Sequence, residues 1–483
     1  MSLISLSFLA FMTVAFLGYF ILPMKLRPYF LLLASLFFYS CFGWKAFFYL
    51  GFTTLSSFFL SLWMPKAKPS VKKLLLILSL VLNLGLLILV KYLNFTLDLV
   101  FGLFGAEAPV LSILVPLGIA FYTMQAVSYC VDVYKGKYAP ERSFCKYLLY
   151  MSYFPIIMQG PISRYDQLGS QVFTPHRFSF DRLKAGLCLA LFGFFKKMVI
   201  ADRAAILVDQ VFGSYLSHSG MELLIAAVLY TIQIYADFSG CVDICRGVSQ
   251  VLGIELAENF KHPYFSVSIK DFWRRWHCSL SSWFRDYIYI PLGGSRRGTG
   301  RKYLNLTVVF LVSGLWHGVG LQFIAWGLLH AGYQIFGELS SDLRYRLYDR
   351  CRINRSSRLF RLGQQIFTFG LLVISWIFFR APSLSSALYI LKTIALQLDP
   401  FFLLRGPFPN LGLDSKDLLV FLLAVAVLWV VSLLQQKGFL RQRVEKQSFL
   451  IRYPVYLIAI FVILIFGIYG PGYDVAQFIY MQF

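Results

Sequence analysis

Residues 303–337 read YLNLTVVFLVSGLWHGVGLQFIAWGLLHAGYQIFG, a run of 35 residues without Asp, Glu, Lys or Arg. Basic segments stand on both sides of this run, at residues 296–302 and 344–361. Because cytoplasmic loops of membrane proteins collect Lys and Arg, we predict that the run leaves the cytoplasmic face of a membrane and returns to it. The chain must then turn near the middle of the run, at the glycine-rich residues 314–320.

The composition of the whole chain is that of a helical membrane protein. Of its 483 residues, 58% are hydrophobic and only 14% are charged, against about 25% charged residues in soluble domains. This composition excludes a soluble globular domain and a disordered chain. Charge-free stretches at residues 74–90 and 418–436 are long enough, or nearly so, to cross a hydrocarbon core of about 30 Å as helices. We predict an all-α polytopic protein with about eleven transmembrane helices plus several partial or re-entrant helices, in one membrane-embedded domain over residues 1–483.

The charges predict how the chain is oriented. The net charge of +22 comes from 45 Lys and Arg against 23 Asp and Glu, and we attribute it to cytoplasmic loops rather than to a nucleic-acid partner. The alternation of basic clusters with apolar stretches predicts both termini outside the cell and the seven-arginine segment 344–361 inside. Prolines and basic residues interrupt residues 146–215, which predicts short helices there. The eight cysteines show neither zinc spacing nor a disulfide framework, so we expect no metal site.

His317 is the first candidate for chemistry. If the arm before it is helical, this side chain lies about 22 Å from the inner membrane boundary, at or beyond the midplane. An ionisable residue at that depth is a functional-site hypothesis by default. The alternative is a histidine that is hydrogen-bonded within the helix bundle and serves only the fold. A histidine without a nucleophile partner is typical of a general base.

A second candidate site follows the motif KDFWRRWH at residues 270–277, with SWFRDY at 282–287. Residues 261–302 carry nine Lys and Arg against two Asp and Glu, which favours attraction of a phosphorylated donor on the cytoplasmic side. The alternative is an interfacial helix with aromatic anchors and inside-positive charge. The glycines of GGSRRG at 293–298 could bind phosphate through backbone N–H groups, although this is not a P-loop. For His277 a catalytic role and a structural role both remain open.

These motifs resemble those of the membrane-bound O-acyltransferases, in the bacterial branch that acetylates alginate and peptidoglycan. The resemblance extends over nearly the whole chain, with the motif-bearing catalytic core at residues 110–340. It rests on VPLGIAFYT at 115–123, YFP at 153–155 with GP at 160–161, QIYADFSG at 233–240, residues 271–294, SGLWHG at 313–318 and FIYMQF at 478–483. It implies helices around a central tunnel, with His317 as the essential membrane histidine and His277 as the second polar position of the family.

The resemblance also implies an activity and a set of site residues. The expected activity is transfer of an acetyl group from a cytoplasmic thioester to an extracytoplasmic polysaccharide or a partner acyltransferase. The expected donor is acetyl-CoA, and no permanently bound cofactor is expected. His317 would be the general base and His277 would orient or polarise the donor. The expected substrate-binding residues are Trp273, Arg274, Arg275, Trp276, Arg285, Asp286, Tyr287 and Trp316. The alternatives are a D-alanyl transferase of teichoic acid modification, an acyl-carrier donor, and, in another class, a proton-coupled transporter or flippase.

Overall fold

The computed structural model describes residues 1–113, 115–399, 401–402, 411–436, 438, 443–444 and 446–469. Over these residues the chain forms helices and no β-strand, which confirms the predicted all-α class. The motif at residues 478–483 and the end of the predicted last span lie outside the described residues. The described chain divides into two compact units. Unit 1 contains Met1–Ala190 and Cys241–Glu258, and unit 2 contains Leu191–Gly240 and the described residues from Asn259 onward. The prediction of one domain with a core at 110–340 stays a prediction.

Unit 1 is built on long apolar helices followed by short ones. Its helices are α1 (Leu6–Ile21), α2 (Arg27–Ser40), α3 (Trp44–Trp63), α4 (Pro69–Leu103), α5 (Ile119–Tyr134), α6 (Phe144–Ser152), α7 (Tyr165–Phe173) and most of α8 (Phe180–Phe194). Pro155 and Pro161 lie in the non-helical segment between α6 and α7, and Pro175 follows α7. Proline lacks the backbone N–H that a helix interior needs. The prediction of short helices for residues 146–215 is therefore confirmed for α6 and α7. It is wrong for residues 180–213, where no non-helical residue separates the successive helical segments.

Unit 2 contains the rest of the helices and all the predicted site residues. They are α9 (Asp202–Gly213), α10 (Gly220–Val251, its residues 220–240 in this unit), α11 (Ile269–Arg275), α12 (Cys278–Phe284), α13 (Thr299–His317), α14 (Leu321–Leu339), α15 (Ser341–Arg350), α16 (Arg358–Arg380), α17 (Leu384–Leu396), α18 (Ser415–Gln436) and α19 (Phe449–Phe466). Two π-helical turns, Phe195–Ala201 and Arg285–Tyr289, interrupt the α-helical pattern. Serine side chains cap several helices by accepting a backbone N–H three residues ahead, at Ser268, Ser357 and Ser383.

Helices α13 and α14 form the hairpin predicted for residues 303–337. The first helix ends at His317, the second begins at Leu321, and the turn between them consists of residues 318–320. The two helices pack backbone against backbone: a Cβ at Gly314 would lie 2.3 Å from the Phe323 carbonyl oxygen, and a Cβ at Gly327 would lie 2.3 Å from the Phe310 carbonyl oxygen. Glycine is the residue that leaves room for such an approach. The predicted hairpin and its turn are confirmed.

Within the part of the chain that the structure describes, six helices are long and apolar enough to cross a membrane by length and composition. They are Trp44–Lys66, Pro69–Leu103, Gly220–Val251, Arg358–Arg380, Ser415–Gln436 and Phe449–Phe466, and the shorter apolar helices are Leu6–Ile21 and Leu384–Leu396. Helices α13 and α14 have 19 residues each but are not among the six. Their mean hydropathy is lowered by charged residues (Arg301, Lys302 and Glu338) and by polar residues such as Asn305 and His330. The number of about eleven spans and the outside position of both termini stay predictions.

Candidate active site

His317 occupies the last position of α13, at the turn of the hairpin. Its side chain is only 4% exposed. Three aromatic rings surround the imidazole: the ring centroids of Trp316, Trp326 and Phe379 lie 4.8, 5.1 and 5.2 Å from its own. The sequence around the turn therefore places an ionisable ring inside an aromatic enclosure. Its predicted depth in the membrane stays a prediction.

His277 lies at a break between two short helices. Helix α11 ends at Arg275 and α12 begins at Cys278, and His277 between them has a φ of +44°, a left-handed conformation that is uncommon for a residue other than glycine. The side chain is fully buried, and its ring packs edge-on against Phe238 at 4.7 Å. Neither ring nitrogen has a hydrogen-bond partner among the described residues. Both nitrogens thus keep their hydrogen-bonding capacity, and the segment is not one continuous interfacial helix.

Asn259 holds this break in place. Its side-chain Oδ1 accepts a hydrogen bond from the backbone N–H of Ser279 at 3.0 Å, and its carbonyl oxygen accepts one from the N–H of Cys278 at 3.0 Å. These bonds satisfy two N–H groups at the start of α12, where a helix has no partners of its own. The local sequence does not mark Asn259, and only the folded chain shows that it fixes the backbone beside His277.

Trp316 connects the two predicted catalytic histidines. Its ring centroid lies 4.8 Å from that of His317 and 6.2 Å from that of His277. The structure thus brings together three predicted site residues that are 40 positions apart at most in the sequence. A neutral imidazole nitrogen in such an enclosure can accept a proton from a hydroxyl held against it.

A third buried histidine, His330, belongs to the same enclosure. The indole Nε1–H of Trp273 donates a hydrogen bond to its Nδ1 at 3.2 Å, so a neutral His330 carries its proton on Nε2. Its ring lies 4.9 Å from Trp326, which in turn contacts His317. Trp273 is predicted to bind substrate, but its indole N–H already donates to His330. His330 could have been singled out from the sequence, because it lies in the same charge-free run as His317.

Two other predicted substrate-binding residues pack against neighbouring rings. Trp276 is fully buried, with the ring centroids of Phe272 and Trp376 at 5.3 and 5.2 Å. Tyr287, in the π-helical turn after α12, packs against Trp283 at 5.0 Å. These contacts assign both side chains to the packing of unit 2. Their predicted contact with substrate stays a prediction.

The three predicted donor-binding arginines differ in their ionic partners. Arg275 pairs with Asp271 one helical turn earlier, at 3.0 Å, and Arg285 pairs with its neighbour Asp286 at 2.8 Å. Arg274 is exposed, and no ion pair of its side chain occurs within the described chain. Arg274 is thus the guanidinium among the three whose charge is least compensated.

The glycine-rich loop after α12 is not arranged as a phosphate cradle. The backbone N–H groups of Gly293 and Gly294 donate to the carbonyl oxygens of Ile290 and Tyr289, each at 2.9 Å. The side-chain amide of Asn305 donates to the Gly294 carbonyl oxygen at 2.9 Å and so ties the loop to α13. Because these amides already have partners, the loop does not support the phosphate-binding interpretation of its glycines.

Comparisons with known proteins assign the chain to a family. Residues 141–381, which include all three buried histidines, match the model of the MBOAT, membrane-bound O-acyltransferase family. The chain is 36% identical over 383 residues to the probable alginate O-acetylase AlgI of Pseudomonas putida, covering 77% of this chain and 76% of that protein. It is 34% identical over 415 residues to the peptidoglycan O-acetyltransferase of Helicobacter pylori, covering 79% and 77%. It is 30% identical over 234 residues to the teichoic acid D-alanyltransferase of Bacillus subtilis, covering 44% and 57%.

The first two of these relatives share most of their length with this chain. This similarity to membrane-bound enzymes agrees with the all-helical fold and with the six helices of the described chain that are long and apolar enough to span a membrane. The chain therefore belongs to the membrane-bound O-acyltransferase family and is a multi-pass membrane acyltransferase.

Proposed function

We propose that this protein is an O-acetyltransferase that moves an acetyl group from cytoplasmic acetyl-CoA to an extracytoplasmic polysaccharide or to a partner acyltransferase. The observation that carries the proposal is the buried His317 in its aromatic enclosure. The ring of Trp316 packs against both His317 and His277. The two relatives that match this chain over about three quarters of their own length are both named for O-acetylation. The D-alanyltransferase covers only 44% of this chain, which favours acetyl over D-alanyl as the transferred group.

His317 acts as the general base of this reaction. As the acceptor hydroxyl oxygen attacks the thioester carbonyl carbon, its proton passes to the imidazole of His317. The carbon–sulfur bond then breaks, and the leaving thiolate takes the proton from the His317 imidazolium. This transfer leaves an ester on the acceptor and free CoA, and it restores the neutral base. His277 polarises the thioester carbonyl by donating from one ring nitrogen, which is otherwise without a partner among the described residues. Burial removes competing water from both steps.

The donor approaches the basic segment 261–302. Its surplus is seven positive charges, nine minus two, and CoA carries several phosphate charges of opposite sign. Of the three predicted donor-binding arginines, Arg274 contributes most to this attraction, because Asp271 and Asp286 already compensate Arg275 and Arg285. Interactions between exposed charges weaken when salt shortens the Debye length below about 10 Å.

Proteoliposomes with labelled acetyl-CoA on one side and an oligosaccharide acceptor, with or without a partner acyltransferase, on the other side test this proposal. We expect labelled ester in the acceptor compartment and an equal amount of free CoA in the donor compartment. Arg274→Ala should raise the apparent KM for acetyl-CoA roughly two- to fivefold, the size of an exposed charge interaction. Arg275→Ala and Arg285→Ala are the matched controls and should raise it less.

Two results would contradict the proposal. Label that enters the acceptor only from a D-alanyl carrier protein would assign the D-alanyl transferase activity. Equal donor dependence in all three arginine variants would show that these residues serve orientation in the membrane and not donor binding.

The predicted orientation is testable with two exposed cysteines, Cys351 after α15 and Cys41 between α2 and α3. Cys351 lies in the seven-arginine segment predicted inside. Cys41 lies in the loop around Gly43 and Trp44, which the positive-inside rule predicts outside because only Lys45 occurs between the basic residues at 25–27 and those at 66–73. In single-cysteine variants, we expect a membrane-impermeant maleimide to label Cys41 in intact cells and Cys351 only after the membrane is opened. Labelling of Cys351 in intact cells would contradict the predicted orientation. The estimated depth of His317 in the membrane would then lose its basis.

A further inference from the structure

Unit 2 contains a buried ion pair that the proposed reaction does not use. On the π-helical turn Phe195–Ala201, the Nζ of Lys197 lies 2.8 Å from Oδ1 of Asp202 and 2.8 Å from Oδ1 of Asp237. The three side chains are 5%, 1% and 3% exposed. Removing charges from water is costly, and replacing such a pair by apolar residues is often neutral or stabilising. A buried ion pair in a membrane protein therefore indicates a function beyond stability.

Asp237 lies on α10, and two more contacts attach the residues that follow it to the π-helical turn and to α8, the helix before that turn. The Nζ of Lys196 donates a hydrogen bond to Oγ of Ser239 at 2.9 Å. A Cβ at Gly240 would lie 2.8 Å from the carbonyl oxygen of Gly193, so the two backbones approach closely. An ion pair, a hydrogen bond and a backbone contact thus fix residues 237–240. π-Helical turns are frequent at functional sites, and this one allows two consecutive lysines to reach one helix.

The residue fixed between these contacts is Phe238, which packs on His277. Its side chain is 1% exposed, and its ring centroid lies 4.7 Å from that of His277 and 5.0 Å from that of Phe260. The imidazole of His277 has no hydrogen bond within the described chain, so ring packing orients it. Successive residues of an α-helix point about 100° apart, and a small rotation of α10 would move Phe238 away from the imidazole.

We propose that the Lys197–Asp237 ion pair is a positioning device for acyl transfer: it holds α10 in the rotation that presses Phe238 on His277 and so orients the imidazole. Lys197, Asp237 and Phe238 are thus positioning residues, since none of them needs to touch the substrate. The inference rests on the proposed function, because it assigns His277 to the donor carbonyl. The other explanation is that the ion pair serves only the stability of unit 2.

A double-mutant cycle separates these explanations. Asp237→Asn leaves Lys197 paired with Asp202, so one positive charge still faces one negative charge. Misplacement of a reacting group by about 1 Å can cost about a hundredfold in rate. We expect Asp237→Asn and Phe238→Leu each to lower kcat about ten- to hundredfold with an unchanged KM for acetyl-CoA. The double variant should be no slower than the slower single variant, because both changes act through His277.

Controls keep the test independent of folding and of the proposed function. Asp209→Asn removes the carboxylate that pairs with Arg380 elsewhere in unit 2 and should leave kcat unchanged. Lys197→Arg retains the charge and should recover part of the rate that Lys197→Met loses, which keeps the proposal testable if Asp237→Asn does not fold. Effects of Asp237→Asn and Phe238→Leu that multiply, or a loss that follows the unfolding temperature, would overturn the positioning role. An unmodified protein without acetyl transfer would instead overturn the proposed function.

Discussion

Replacement of His317 by alanine is expected to abolish acyl transfer while the protein still inserts into the membrane and purifies as a single species. A general base contributes about 10²- to 10⁴-fold to a rate, and alanine cannot accept a proton. The fold should persist because the α13–α14 contact depends on Gly314 and Gly327 rather than on the imidazole. The measurement is the initial rate of labelled ester formation in proteoliposomes, which we expect to fall at least a hundredfold.

The matched control for His317→Ala is His176→Ala. His176 lies in unit 1, where its ring Nε2 contacts the Gln171 carbonyl oxygen at 3.0 Å. The same change of side chain at this position should leave the rate near that of the unmodified protein. If His317→Ala retains more than about a tenth of the activity, His317 is not the general base. Such a result would favour the alternative of a histidine that serves only the packing of the bundle.

The hairpin and its histidine could be predicted because they follow from constraints that act along the chain. A charge-free run between two basic segments has few arrangements in a membrane, and glycines in its middle allow a turn. The structure confirms a helix that ends at His317 and a second helix that begins at Leu321. The Asp271–Arg275 ion pair also follows a sequence rule, since residues four apart are neighbours on a helix.

The packing around the histidines could not be predicted, because it depends on residues far apart in the sequence. The hydrogen bond from Trp273 to His330 spans 57 positions. His277 adopts a left-handed conformation although it is not a glycine. Asn259, which stabilises the backbone beside it, lies 18 positions earlier in the sequence. Lys197 and Asp237 are 40 positions apart. In each case the local sequence is compatible with several partners, and only the tertiary fold selects one.

The hairpin also explains why the number of spans is difficult to predict from hydropathy. Helices α13 and α14 carry the buried polar residues Asn305, His317 and His330. They also carry charged residues at their ends, Arg301, Lys302 and Glu338, so their mean hydropathy is lower than that of the six candidate spans. Among the described residues, the two candidate spans with the highest mean hydropathy are Ser415–Gln436 and Pro69–Leu103, and only 22% of the most apolar 18-residue window of each is buried. Hydropathy therefore detects sparsely buried apolar helices such as these two more readily than the hairpin that carries His317.

Replacement of Gly327 by alanine is expected to separate the two helices of the hairpin and to abolish activity. The added Cβ would lie 2.3 Å from the carbonyl oxygen of Phe310, a backbone atom that cannot rotate away as a side chain can. Inserting one methyl group into a packed contact costs about 1–3 kcal/mol, occasionally more. Trp326, the residue before Gly327, contacts the ring of His317, so the displacement should reach the site directly. Thermal unfolding in detergent and the rate of transfer measure the two effects.

Gly332→Ala, on the same helix, is the control that separates the contact from the chemistry of the substitution. A Cβ at Gly332 meets no atom within 4 Å, and replacing glycine by alanine inside a helix stabilises it by roughly 0.5–1 kcal/mol. We therefore expect Gly332→Ala to unfold at the same or a higher temperature and to retain full activity. If Gly327→Ala also retains its unfolding temperature and full activity, the close backbone approach of the two helices does not determine the position of His317. If only Gly327→Ala fails, the glycines of the charge-free run place the histidine as much as they allow the turn.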